Sequence, residues 1–175
     1  MVLGTRLKNL LTKLGLLPEE LIPTEPVALK PVGVVRNRVR EPRMEGWEDL
    51  PSDIILRKNL AGALDGIEEY SHIVVLFHLH RVSDEERSRT RCHPRGDPRY
   101  PLQGVFATRT QHRPNPVGIS VVPLLKRRGN VVRVKGLDAV NGTPVLDIKP
   151  HIPLYDAPSE VRLPEWVTQP PLPPS

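Results

Sequence analysis

Val117-Gly118-Ile119-Ser120-Val121-Val122-Pro123-Leu124-Leu125, then Lys126 to Asn130, then Val131-Val132-Arg133-Val134, reads as two strands joined by a tight turn. β-branched residues dominate both runs, and Gly129-Asn130 supplies turn chemistry between them. Working outward, Ile73-Val74-Val75-Leu76-Phe77 is a nearly continuous β-branched run, expected as a buried strand that continues into His78-Leu79-His80. Val32-Gly33-Val34-Val35, Ile54-Ile55-Leu56, Gly104 to Thr108 and Val145 to Ile148 are further short strands. Leu60 to Leu64 with Ile67 reads as a short helix weakened by Gly62 and Gly66. Strands follow strands with little helix between them, which favours a barrel or sandwich over a doubly wound sheet.

The composition agrees. A chain of 175 residues is one domain of ordinary size, and 21 prolines exclude a helical bundle and favour short strands with stiff loops. A single cysteine, Cys92, excludes an internal disulfide framework and points to a reducing compartment, the cytoplasm. The net charge of +5 tolerates a polyanionic partner without proving one. No apolar run is long enough to span a bilayer.

Three parts are expected along the chain. Residues 1–30 hold a leucine-rich amphipathic helix (Leu3, Leu7, Leu10, Leu11, Leu14, Leu17) and a proline-rich linker. A docking helix, a transit peptide and a surface-binding helix all fit that pattern. Residues 31–166 form the body, and 167–175 a disordered proline-rich tail. Residues 83–103 are polar and rich in arginine (Arg87, Arg89, Arg91, Arg95, Arg99). They read as a solvated loop or as an arm for RNA phosphates.

Several chemistries lack their signatures. There is no glycine-rich dinucleotide fingerprint, no P-loop and no nucleophile elbow. His78 and His80 stand two apart, a spacing some metal sites use, but no C-x-x-C or H-E-x-x-H accompanies them, so no metal site is assigned; a metal-dependent hydrolase on His78, His80 and Asp147 is the weakest reading. Two stretches stand out. In Arg109-Thr110-Gln111-His112-Arg113-Pro114-Asn115-Pro116, two prolines hold Asn115 in extended backbone and present guanidinium forks with little entropy left to lose. That loop either takes a planar or anionic ligand or is a rigid connector. In Asp138-Ala139-Val140-Asn141-Gly142-Thr143, Asn141-Gly142 marks a turn. Asp147 and Lys149 then share a strand face, as an ion pair or as a site rim.

Gly104-Val105-Phe106-Ala107-Thr108-Arg109, Arg113-Pro114-Asn115-Pro116-Val117-Gly118-Ile119-Ser120 and Gly142-Thr143-Pro144-Val145-Leu146-Asp147-Ile148-Lys149-Pro150 together closely resemble the TsaA-like (TrmO) family. Gly33 to Arg36, Pro42-Arg43 and Gly66 to Ile73 resemble it too, so the likeness covers roughly residues 31–166. The resemblance implies an all-β (β-rich α+β) fold, a small closed β-barrel with few short helices. It implies a homodimer that binds S-adenosylmethionine near the subunit interface. The implied reaction is methylation of N6 of threonylcarbamoyladenosine at tRNA position 37. Carried over by position, Met44, Gly46, His80, Arg81, Arg109, Ile119, Ala139, Val140, Asn141 and Gly142 are the expected cofactor contacts. Arg109, Asp138 and Asn141 are the expected catalytic group, with backbone at Asn141-Gly142 expected against the cofactor. Arg113, Asn115, Lys149, Arg95 and Arg99 are expected toward the tRNA. The family usually has Asp at the position of Asn141 and Tyr at that of His151. Those departures keep a second reading open: a non-catalytic barrel that binds S-adenosylmethionine or RNA as a regulator.

Overall fold

A computed structural model describes Leu14 and residues 25–168. The expected N-terminal helix and most of the proline-rich tail lie outside the described residues.

The described residues hold eight strands: β1 Gly33–Arg36, β2 Pro51–Leu56, β3 His72–His78, β4 Arg91–Cys92, β5 Gln103–Gly104, β6 Val117–Arg128, β7 Val131–Lys135 and β8 Pro144–Pro150. Six of them close a barrel in the order β1-β2-β7-β6-β3-β8, every pair antiparallel, while β4 and β5 form a separate ribbon. The expected closed barrel is what the chain forms. Closure leaves the six wall strands without an unpaired edge.

The barrel interior is apolar. Val35, Ile54, Ile73, Val75, Val132, Val134, Leu137 and Val145 are fully buried, and Phe77 and Val122 nearly so. They alternate with outward residues, as a period of two requires. Phe77 lies opposite Gly118, whose missing side chain gives the ring its space: a Cβ there would stand 2.3 Å from Phe77 Cε2. Pro51 and Pro144 open their strands and Pro150 ends one, while Pro123, inside β6, lies opposite His72 where β3 begins. Gly129 takes φ 58° in the two-residue turn between Arg128 and Val131.

Some expected elements differ. Leu60 to Leu64 lies in a 3-10 helix, Lys58–Leu64, followed by a 3-10 turn, Ile67–Glu69. Arg127 explains the tight geometry: Nη2 donates to Ala61 O at 2.9 Å and Nη1 to Leu64 O at 3.2 Å, with Asp65 and Glu68 as ion-pair partners. This segment covers one barrel end with Leu64 buried. β3 stops at His78, because His80 N turns back to His78 O. Gly104 to Thr108 is not a strand; only Gln103–Gly104 pairs, and Val105–Ala107 is a 3-10 turn. Residues 83–103 are not one structureless loop. They hold a one-turn helix, α1 Asp84–Arg87, with a capping box between Ser83 and Glu86, then the β4–β5 ribbon. After β8 come two further turns of helix, α2 Pro153–Asp156 and α3 Glu165–Thr168. The last places Val167 and Thr168, assigned to the tail, in a helical turn.

Antiparallel pairing all round the wall has one consequence for function. β1, β3 and β7 run toward the end that β2, β6 and β8 leave. The three long connections, 37–50, 79–116 and 136–143, therefore all meet at that end, opposite the segment held by Arg127.

Candidate cofactor and substrate site

Almost every residue singled out in the sequence sits in those three connections. Hydrogen bonds knit them together. Asn37, just past β1, donates from its backbone N to Asn141 Oδ1 at 3.2 Å, and from Nδ2 to Ala139 O at 2.8 Å and Ser52 Oγ at 3.0 Å. Asn141 N donates to Val39 O at 2.7 Å and Gly142 N to Val35 O at 2.8 Å. Gly142 adopts φ 87°, which glycine reaches without a Cβ penalty. The expected turn is present, and the amide N–H groups of Asn141 and Gly142 tie it to Val39 and Val35. The Asn141 amide NH2 makes no bond among the described residues, whereas Ala139 and Val140, expected as cofactor contacts, are buried and their carbonyls accept from Asn37 Nδ2 and Thr143 N.

The other members converge on the start of β6. Ser120 donates its hydroxyl to Asp138 Oδ1. Arg109 Nη2 donates to Ile119 O at 2.7 Å. Leu79 N donates to Pro116 O at 2.8 Å, which brings His80 beside that strand entry. Arg81 pairs with Glu41 at 2.6 Å and so ties the first connection to the second. Arg113 Nη2 donates to Val105 O at 3.1 Å and Thr108 O at 2.9 Å, so its guanidinium shapes the loop that carries Phe106 and Asn115. In the first connection, Arg43 bonds Gly46 O and lies 4.7 Å from the Trp47 ring centroid. Met44 and Phe106 stand 77% and 81% exposed, large apolar groups in water at the loop end. Burial, then the charges of Arg81 and His78, hold the His80 pKa below its ordinary value of 6.5.

Three expected members are placed elsewhere or otherwise engaged. Lys149 lies near the far end of β8, paired with Asp147 at 2.6 Å on the outer wall. Arg95 is held against Tyr100, with Nη1 2.8 Å from the hydroxyl, and Arg99 is clamped to Asp97 at 2.6 Å. Of the two departures, Asn141 is at the loop end, whereas His151 is at the opposite end, bonded to Asp156 at 3.0 Å. Asn37, Glu41 and Ser120 went unassigned in the sequence. Only Asn37 had a local signal: Asn at a strand exit, whose Oδ1 accepts from Val39 N two residues on at 3.0 Å. Among the described residues, no group of three or more His, Cys, Asp or Glu is placed to hold a metal.

The loop end combines a fixed carboxylate, an anchored guanidinium, an imidazole held neutral at pH 7 and exposed apolar groups. That set suits S-adenosylmethionine. The carboxylate and backbone carbonyls accept from hydroxyls or an ammonium, the apolar groups take a base, and no phosphate cradle is required. A closed barrel with its candidate site on the loops of one end, and no Rossmann domain among the described residues, is the class of protein defined here. The chain belongs to the tRNA-methyltransferase O family, whose N-terminal-domain model matches residues 36–157.

Relatives agree. A probable S-adenosyl-L-methionine-binding protein of Pyrococcus abyssi is 34% identical over 147 residues, 78% of this chain and 74% of its own length. A protein of the same description in Methanothermobacter thermautotrophicus is 43% identical over 129 residues, 71% of this chain and 90% of its own. The human tRNA (adenine(37)-N6)-methyltransferase is 39% identical over 104 residues, 58% of this chain and 23% of its own. A crystal structure of TrmO from Pseudomonas aeruginosa superposes with TM-score 0.62 at 32% identity, covering 79% of this chain and 62% of that one. The chain thus spans under two thirds of that solved relative. No helix among the described residues is long and apolar enough to cross a membrane.

Proposed function

We propose that this chain is an S-adenosylmethionine-dependent methyltransferase of tRNA in the cytoplasm, acting on N6 of adenosine 37 when that base carries threonylcarbamoyl. The observation that carries the reading is the convergence of Arg109 on Ile119 and of Asp138 on Ser120 at the start of β6, with Leu79, the neighbour of His80, bonded to Pro116 at the same barrel end, where all three connections meet.

S-adenosylmethionine, when bound, supplies a methyl group on a positively charged sulfur. The residues of this chain do the rest. Asp138, oriented by Ser120, accepts from a hydroxyl or ammonium of the cofactor. Arg109 keeps one guanidinium nitrogen on Ile119 O and presents its remaining donors to the substrate. N6 of a carbamoylated adenosine is a weak nucleophile, so alignment and exclusion of water are the main aids the protein offers. The neutral His80 ring is our assignment for the group that takes the N6 proton. Arg113 sets the shape of the loop that brings Asn115 and Phe106 to the base.

A homodimer is part of the proposal. On the outer face of β6, Ile119, Val121 and Leu125 stand 48%, 50% and 49% exposed, an apolar stripe that reaches the site at Ile119.

The regulator reading has less support. Asn141 acts here through Oδ1, which accepts from Asn37 N, and an amide does that as well as a carboxylate. The test is digestion and mass spectrometry of tRNA pools with and without threonylcarbamoyladenosine after incubation with S-adenosylmethionine. Methyl gain confined to the modified pool supports the proposal. Cofactor binding with no methyl gain in either pool overturns it in favour of the regulator.

A further inference from the structure

The arginine-rich segment is the obvious place for tRNA phosphates, and the structure engages much of it internally. Arg87, Arg95 and Arg99 are held by Asp84, Tyr100 and Asp97. A different set of cations faces solvent on the barrel wall. Cross-strand pairing joins Arg36 to Asp53, Asp53 to Arg133 and Arg133 to Lys126, one residue from each of β1, β2, β7 and β6. Their chain neighbours Val35, Ile54, Val132 and Val134 are fully buried, so the row points outward. Arg128 adds a fourth cation beside it. Lys126, Arg128 and Arg133 line a hollow of about 210 Å³ with Asp53 and Val131. Asp53 is the one carboxylate lining it, and it meets Arg133 at 3.0 Å. Arg36, Lys126 and Arg128 make no ion pair or side-chain hydrogen bond among the described residues. Like charges stacked directly across a ladder are unfavourable alone, and a bound polyanion relieves the repulsion.

We infer that this row is a phosphate-binding track for the tRNA substrate. The inference rests on the methyltransferase reading and adds the surface along which the RNA lies. Position selects RNA over other polyanions. Arg36 directly precedes Asn37, which holds the Asn141 turn, so the row starts at the site rim. From there it descends diagonally across three strand spacings, about 14 Å, toward the β6–β7 hairpin. That is the reach of a few nucleotide phosphates. A strand of RNA on this track would enter the loop end without crossing the clamped arginines.

The experiment compares the full chain with R36Q/K126Q/R128Q and with R89Q/R91Q in the arginine-rich segment. Two readouts are used: tRNA affinity across a salt series, and KM against kcat for methyl transfer. For the row variant, the expected result is a tRNA KM raised about tenfold, kcat within twofold, and a log–log salt slope reduced by about 2 to 3. S-adenosylmethionine affinity and thermal midpoint stay unchanged, which shows that fold and site are intact. A single K126E gives a smaller loss in the same direction. An unchanged slope and KM in the row variant, with losses in R89Q/R91Q, overturns the inference. So does wild-type affinity for phosphatidylserine vesicles equal to that for tRNA, if only vesicle binding falls in the row variant. If tRNA binds with a slope that the row variant lowers but no methyl is transferred, the track stands and the methyltransferase reading falls.

Discussion

Asn37 and Asn141, far apart in the chain, are locked together: the backbone N of Asn37 donates to Asn141 Oδ1 at 3.2 Å, and Asn141 N returns to Val39 O at 2.7 Å. Asn37 Nδ2 also satisfies Ala139 O and the nearly fully buried Ser52 hydroxyl. One side chain thus fastens the strand exit of β1 to the turn before β8. Asn37→Ala leaves a carbonyl and a buried hydroxyl without partners. The expected cost is about 1–3 kcal/mol in chemical denaturation, together with weaker S-adenosylmethionine binding by calorimetry. A variant with wild-type cofactor affinity would separate this lock from the site.

The same geometry makes Asn141 replaceable in one direction only. Asn141→Asp keeps an acceptor for Asn37 N and returns the residue usual in the family, so turnover should be maintained or raised. Asn141→Ala removes the acceptor and should lower cofactor affinity roughly tenfold, the equivalent of one hydrogen bond of about 1.4 kcal/mol. A large loss of kcat in both variants would contradict this account.

Arg109 is exposed and, among the described residues, its side chain bonds only the Ile119 carbonyl, so its removal should spare the fold and harm the reaction. Arg109→Ala is expected to reduce kcat/KM by about 10- to 100-fold with little change in melting temperature. Arg109→Lys should not restore it, since a point charge cannot hold Ile119 O and present a second donor in a fixed fork. Full rescue by lysine would reduce the role to simple charge.

The pKa of His80 lies below 6.5 because burial, Arg81 and His78 all disfavour its charged form. The unfolded chain therefore binds more protons than the folded one between the lowered value and 6.5. The stability linked to His80 is fully present above 6.5 and is lost as pH falls through the folded value. The rate should show an acid limb with a midpoint below 6.5. His80→Gln should abolish that limb and lower kcat by about 10²- to 10⁴-fold. An NMR titration of His80 with a midpoint at or above 6.5 would remove the basis for assigning it the proton.

Gly118→Ala tests the packing beneath the site. Its Cβ would meet the Phe77 ring at 2.3 Å, in a barrel that has no slack there. The expected loss is about 1–3 kcal/mol or more, read in a urea transition. Phe77→Leu in the same chain should recover part of it; absence of any recovery would place the clash elsewhere.

Much of the architecture was legible because barrel strands are local patterns. The β-branched runs of β3, β6 and β7, and the Gly129-Asn130 turn, carry their periodicity in consecutive residues. The motifs around Arg109 to Ser120 and Asp138 to Gly142 were likewise contiguous, so the family and most of the loop-end residues followed from them. Contacts between distant residues were not legible. Only closure of the barrel brought Asn37 to Asn141 and Ser120 to Asp138, sent Lys149 to the opposite end of its strand, engaged Arg95 and Arg99, and aligned Arg36, Arg133 and Lys126 in one row. Pattern within a strand reports which face a residue takes; which residues become neighbours depends on pairing register and strand order, and those are settled by the packing of the whole wall around its buried valines and Phe77.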